Sequence, residues 1–439
     1  MEFLIKALQL ILSLSILVIL HEFGHFLFAR LFNTRVEKFY LFFNPGFSLF
    51  KFRKGDTEYG MGWLPLGGYV KISGMIDESM DKEQMKQPAQ PWEFRAKPAW
   101  QRLLIMVGGV LVNFITAMVI FWMILFKWGE SYIPVEGASY GFSYHPIGHE
   151  LGLQDGDKVL AVDTFKVETV GDVIRHVLLE DPDYFTVERE DSVFQLSLPD
   201  ELGQKFLSEG VKRFAQYRIP FVVDSVVPGM PAEEAGLLKG DSLVAVAGKD
   251  APFFNQFVDE LFHHKGDSTT VSFYRNGELM SLPMGVNKSG KIGVGPKAPS
   301  TYLDIKTREY GFWEAFPAGI DKGFGILVGY VKQMRLIFTK EGARQVGGFG
   351  TIGSLFPASW DWNSFWYTTG FLSLILAFMN ILPIPALDGG HVLFLLYEIV
   401  SRRKPSEKFL EHAQLVGMIL LIGLLLYANG NDLFRWLFE

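Results

Sequence analysis

From residue 3 to residue 28 the chain is apolar and almost uncharged, and this stretch closes on His21-Glu22-Phe23-Gly24-His25. About 20 apolar residues cross the roughly 30 Å hydrocarbon core of a bilayer, and over such a length a lone segment satisfies its backbone polar groups only as a helix. The segment is thereby restricted to a spanning helix. An ionisable side chain at that depth costs roughly 2.5–3.5 kcal/mol on insertion scales and is functional by default. HEFGH puts three such residues into a turn and a half. On a helix, His21 and His25 project from one face and can bind a single Zn²⁺, with Glu22 beside them as general base for a bound water. In a soluble helix the same pattern arises by chance; at membrane depth chance is a costly explanation.

Three further apolar runs, at residues 103–126, 365–382 and 413–427, bring the number of expected spans to about four. The first run lacks a small-residue cleavage site and continues through HEFGH, so it reads as retained rather than as a secretory signal. A composition 49% hydrophobic over 439 residues, with a mean hydropathy of +0.18, fits spans combined with soluble domains. A net charge of −7 and no basic stripe give no nucleic-acid signal. The absence of cysteine excludes disulfides, thiol catalysis and Cys-ligated zinc, leaving His and carboxylate as ligands.

Lys and Arg near the spans set the orientation. Arg30, Arg35, Lys38, Lys51, Arg53, Lys54, Arg95, Lys97 and Arg102 fall between the first two spans, and Arg402, Arg403, Lys404 and Lys408 between the last two. Both loops are expected in the cytoplasm, the N-terminus, middle region and C-terminus outside, and HEFGH towards the cytoplasmic end of its span. In the first loop, residues 36–52 alternate and 58–72 read as more strand, with Leu66-Gly67-Gly68-Tyr69 marking a tight turn or close backbone approach. A small sheet following the first span is expected from this. It is either an ordinary hairpin or an edge strand that pairs with an extended substrate.

The middle region repeats itself. Gly152-Leu153-Gln154-Asp155-Gly156-Asp157 and the strand after it align with Gly236-Leu237-Leu238-Lys239-Gly240-Asp241, an offset of 84 residues, and indicate two tandem domains. The string resembles PDZ domains of the bacterial protease type, whose fold takes up an extended peptide as an added strand. As spacers or a size filter they fit the sequence equally well. Residues 312–338 show helical spacing interrupted by Pro317 and four glycines, suiting a surface-lying amphipathic helix or one clamped over the paired domains. Residues 347–353 read as a flexible joint or backbone-exposed loop.

A zinc hydrolase needs a third protein ligand. Asn380-Ile381-Leu382-Pro383-Ile384-Pro385-Ala386-Leu387-Asp388-Gly389-Gly390-His391 breaks the third span with two prolines and then delivers a carboxylate. Non-helical backbone at that depth is tolerated only in a protein interior or along a wet cavity, where Asp388 could meet His21 and His25. His391 competes for the role.

HEFGH in a first span, PLGGYVK in the next loop, Phe94-Arg95 with Pro98-x-Trp100-Gln101-Arg102 before the second span, the tandem repeats and NxxPxPxLDGG in the third together resemble the site-2 protease family, of the bacterial regulator of sigma-E protease type. The resemblance runs from about residue 1 to the C-terminus. It implies a multi-pass α-helical membrane protein with about four spans, a small membrane-associated β-sheet, and two tandem PDZ-like α+β domains between spans 2 and 3. It also implies an intramembrane zinc metalloprotease of the bacterial inner membrane, with the PDZ domains periplasmic. His21, His25 and Asp388 would be zinc ligands and Glu22 the catalytic base, with Asn380, Pro383, Pro385, Gly67 and Gly68 along the substrate backbone. Partners would be the lipid bilayer, single-span substrates such as a trimmed anti-sigma factor, and an upstream site-1 protease. A non-catalytic PDZ scaffold is the alternative.

The expected segments are 1–34 (first span), 35–102 (loop with sheet), 103–127 (second span), 128–215 and 216–298 (the PDZ pair), 299–362 (amphipathic helix and linker), 363–400 (third span) and 401–439 (turn, fourth span and tail). The chain departs from the family pattern in two places. Phe43-Asn44-Pro45-Gly46-Phe47 stands where a Gly-x-Gly element is usual, and Gly108-Gly109-Val110 stands before Asn113 where Gly-Pro is common.

Overall fold

The structure, a computed structural model, describes residues 2–65, 67–75, 88–190, 192–208, 211, 214–334 and 346–438. Leu66 of the expected turn and residues 335–338 of the expected helix lie outside them. The chain divides into two compact units, Met1–Gly129 with Glu309–Glu439, and Glu130–Arg308.

In the first unit, α1 (Glu2–Leu31) carries HEFGH and ends where Asn33 takes a left-handed φ of 53° and Thr34 N–H donates to Ala29 O. Strands β1 (Val36–Leu41), β2 (Phe50–Lys54), β3 (Thr57–Met61) and β4 (Tyr69–Ile72) form one sheet in the order β2-β3-β1-β4. β1 runs parallel to β3 and antiparallel to β4, with Tyr40 opposite Tyr69. Gly67, at φ 153°, and Gly68 bring the chain back against α1. A Cβ on Gly68 would stand 2.7 Å from Val18 and 3.4 Å from Glu22 Cγ.

Helix α2 (Ala99–Trp128) crosses α1 where Gly24 meets Gly108; a Cβ on Gly24 would lie 2.2 Å from Gly108 O. Lipid tails are as apolar as leucine, so such close backbone contact, with hydrogen bonds between helices, is what joins spans. Thr369 Oγ1 donates to Ser13 Oγ (3.0 Å) and Ser373 Oγ to Asn113 O (2.7 Å), tying α5 (Trp362–Ile381) to both. After α5 the backbone is non-helical through residues 382–387, as the prolines predict. Helix α6 (Asp388–Ser401) starts at the aspartate. Val392 and Leu395 of α6 pack with Ile105 and Met106 of α2, Ala29 of α1 and Ile72 of β4 in one buried cluster, and Arg102 pairs with Glu398 at 2.5 Å.

Two expectations are corrected. Helix α3 (Phe312–Met334) does not lie alone on a surface; it packs lengthwise on the C-terminal half of α2. Gly319 faces the Trp122 backbone, Gly323 faces Met118, Phe324 meets Phe114 ring to ring at 5.5 Å, and Trp122 Nε1 donates to Phe312 O (3.0 Å). Gly319 and Gly323 are contact points rather than interruptions, while a Cβ on Gly325 or Gly329 would meet open space, and Pro317 sits inside the helix without ending it. Likewise, of residues 347–353 only 347 and 348 are loop and the rest are helical. Helix α4 (Phe349–Ser354) is held by α7 (Glu407–Phe438), whose Asp432 accepts from Gly348 N, Thr351 N and Thr351 Oγ1, and whose Asn429 accepts from Phe349 N.

Among the described residues, four helices are long and apolar enough to span a membrane: α1, α2, α5 and, within α7, Lys408–Leu437. The last is far longer than the run the sequence predicts.

The second unit contains two hydrophobic cores, one between Val135 and Phe214 and one between Phe221 and Ile292. The repeat is the same clasp built twice. Arg189 grips Asp157 with two hydrogen bonds (2.8 and 2.7 Å) and reaches Gly152 O (2.9 Å); Arg275 holds Asp241 and Gly236 O at the same three distances. Gln154 N and Leu238 N complete the two carboxylates, each at 2.8 Å.

Candidate metal centre

α1, α2, β4, the non-helical stretch after α5, and α6 converge on a cavity of about 540 Å³ whose walls include His21, Glu22, His25, Gly68, Asn380 and Asp388. The HEFGH spacing puts both imidazoles on the α1 face turned to α2, and the break after α5 lets Asp388 enter from the first turn of α6. Gly389 and Gly390 permit this, since a Cβ on either would collide with the Ile381–Pro385 backbone.

His21 Nε2 and His25 Nε2 are 3.3 Å apart, and Asp388 Oδ2 lies 3.2 and 3.3 Å from them. A tetrahedral ion bonded at the usual zinc distances has ligand–ligand edges of about 3.3 Å. Three edges of that tetrahedron are present. His25 Nδ1 lies 2.9 Å from Ile105 O, which can only accept, so Nδ1 carries the proton and Nε2 offers its lone pair. Asp388 Oδ2 is buried without a hydrogen-bond partner. A carboxylate oxygen and imidazole lone pairs aimed at one point repel each other unless a cation sits between them. The donor set therefore fits zinc.

Of the two candidates for third ligand, the structure brings Asp388 to the histidines. Among the described residues, His21, His25 and Asp388 form the group whose ligand atoms lie within 4.8 Å of one another, while His391 lines the same cavity. Glu22, Asn380 and Gly68 also line it. Gly67 stands against the Phe43 ring, Pro383 is exposed, and the Pro385 carbonyl abuts Gly417 of α7, so these three are not among the cavity walls.

Sequence reasoning missed two neighbours. Gly109 of α2 is the wall behind the imidazoles, where a Cβ would stand 2.5 Å from His25 Nε2. Asn113, fully buried, places its amide nitrogen 3.4 Å from His21 Nδ1. The available signal was an amide in the middle of an apolar span, where polar groups are expensive.

A family profile described as Peptidase family M50 matches residues 9–424. The chain is 30% identical to Protease RseP of Yersinia pestis over 97% of both chains, and 28% identical to Regulator of sigma-E protease RseP of Escherichia coli over 99% of this chain and all of that one. A Regulator of sigma E protease from Haemophilus influenzae is 27% identical over 99% of this chain. With a family match over nearly its whole length, the chain belongs to peptidase family M50 and is a zinc metalloprotease of the membrane.

Proposed function

We propose that His21, His25 and Asp388 hold the zinc, that Glu22 is the general base, and that the substrate is the transmembrane helix of a single-span membrane protein. The observation that carries this is the triangle of ligand atoms, with edges of 3.2 to 3.3 Å, between a spanning helix and a broken one. Bound zinc would supply Lewis acidity for water and for the scissile carbonyl. Glu22, next to His21 and on the cavity wall, takes the proton from water as it attacks and returns it to the leaving amide nitrogen.

A helical substrate keeps its carbonyls hydrogen-bonded and must be held extended first. β4 is an edge strand, and its residues Tyr69 to Ile72 line the cavity with Gly68, so pairing along β4 supports the extended form. Asn380, which also lines the cavity, bonds the substrate backbone in this reading. The resemblance to the site-2 protease family implies, as the substrate class, a single-span anti-sigma factor already trimmed by another protease.

The two lobes of the second unit are read as PDZ-like domains, 128–215 and 216–298, facing the periplasm. The Lys- and Arg-rich loops put the cavity's water access on the cytoplasmic side of the inner membrane. The test is Glu22→Gln in cells. Single-span fragments are expected to accumulate in membranes of the mutant alone, and the purified mutant to keep its zinc while losing at least about 100-fold in turnover. Normal cleavage by the mutant would sink the mechanism.

A further inference from the structure

His25 shows what an imidazole needs behind it: a fixed acceptor for Nδ1–H, here Ile105 O. The group that faces His21 Nδ1 is the Asn113 amide. Asn113 is 0% exposed, and its Oδ1 is buried without a hydrogen-bond partner. Its backbone carbonyl accepts from Ser373 of α5, two helical turns before Asn380. At membrane depth an amide so placed is expensive unless its bonds are used. His21 directs Nε2 at the point shared with His25 and Asp388. With Nε2 committed there, Nδ1 carries the proton and requires an acceptor, which an NH₂ group cannot be. A half-turn of the amide about its Cβ–Cγ bond brings Oδ1 to that spot.

We infer that Asn113 is the positioning residue for His21: its side-chain carbonyl accepts the His21 Nδ1–H, fixes the tautomer that offers Nε2, and couples this ligand through Ser373 to the helix bearing Asn380. This rests on His21 being a ligand, as proposed above. Groups that orient metal-bound histidines in this way are worth about 10–100-fold in metal affinity.

The experiment titrates the full chain in detergent, stripped of metal, with Zn²⁺ against a chromophoric chelator, and records the Co²⁺ absorption spectrum. Asn113→Leu removes the acceptor at similar size and is expected to weaken zinc about 10–100-fold and alter the cobalt spectrum. Asn113→Asp keeps an oxygen acceptor at the same reach and is expected to bind zinc at least as tightly as the wild type. A merely structural role predicts instead that a buried charge disturbs the bundle as much as leucine does. Wild-type affinity and spectrum in Asn113→Leu, or equal loss in Asn113→Leu and Asn113→Asp, would overturn the assignment. If the leucine variant does not fold, Asn113→Ala against Asn113→Asp decides by the same ordering. Undiminished zinc binding by His21→Ala would overturn the ligand assignment itself, a failure separate from that of Asn113.

Discussion

Replacing Gly109 with alanine separates stability from function. The new Cβ would stand 2.5 Å from His25 Nε2, 2.7 Å from His21 Cε1 and 2.9 Å from His21 Nδ1. Non-bonded heavy atoms settle at about 3.5 Å, so the His25 ring must retreat by about 1 Å, half the length of a zinc–nitrogen bond. Overpacking of this kind costs about 1–3 kcal/mol, while alanine gains about 1 kcal/mol over glycine in a helix interior. The net loss of stability is then about 0–2 kcal/mol, easily carried by the bundle. A ligand misplaced by 1 Å is another matter, costing on the order of 100-fold in rate. The assay pairs thermal melting with zinc content and cleavage of a single-span test substrate in detergent. The expected result is a near-normal Tm with weakened zinc retention and turnover down about 100-fold. Gly325→Ala on α3, where nothing lies within 4 Å of the added carbon, is the matched control and should leave zinc content and turnover unchanged with a Tm equal to or slightly above that of the wild type. Full zinc content and turnover close to wild type in Gly109→Ala would refute the placement of α2 against the imidazoles.

Stripping the metal with a chelator should abolish cleavage and zinc should restore it; turnover that survives complete removal would contradict the metal's role. Asp432→Ala should uncap α4 at a cost of about 1–2 kcal/mol, read as faster nicking of residues 346–354 by an added protease, and an unchanged nicking rate would count against the cap. Burial alone would raise the Asp241 carboxyl, but Arg275 and the Leu238 N–H outweigh it and hold it below its ordinary value of 3.8. The clasp's contribution is therefore full above about pH 4 and lost as pH falls through the folded value. Melting of the full chain at pH 3 and pH 6 should show this loss for the transition of the second unit, and Arg275→Leu should shrink the difference; equal differences in both chains would refute it.

What the sequence could reveal was local or carried by charge. HEFGH announces its own geometry because a helix fixes which residues share a face, and two prolines before Asp388 announce a break because they delete donors wherever they stand. Helix α4 was illegible because the groups that cap it, Asn429 and Asp432, come some 80 residues later. Helix α3 was misread because glycine signals flexibility in water but close contact between helices in lipid. Asn113 was noticed only as the residue that follows a departure from the family pattern at Gly108-Gly109-Val110. Its partner becomes visible once Gly24 and Gly108 set the crossing of α1 and α2.

The ligand triangle draws its third corner from a helix that begins at residue 388 of 439. During synthesis, α1 enters the membrane with two imidazoles and no carboxylate opposite them. With His21, His25 and Asp388 as the proposed ligands, the nascent chain holds only part of the site for most of translation. On the proposed ligand set, the site is complete only once the segment that carries Asp388 has been inserted beside α1 and α2. A chain truncated before Asp388 should insert α1 and α2 yet cleave nothing, and detectable cleavage by it would count against that ligand set.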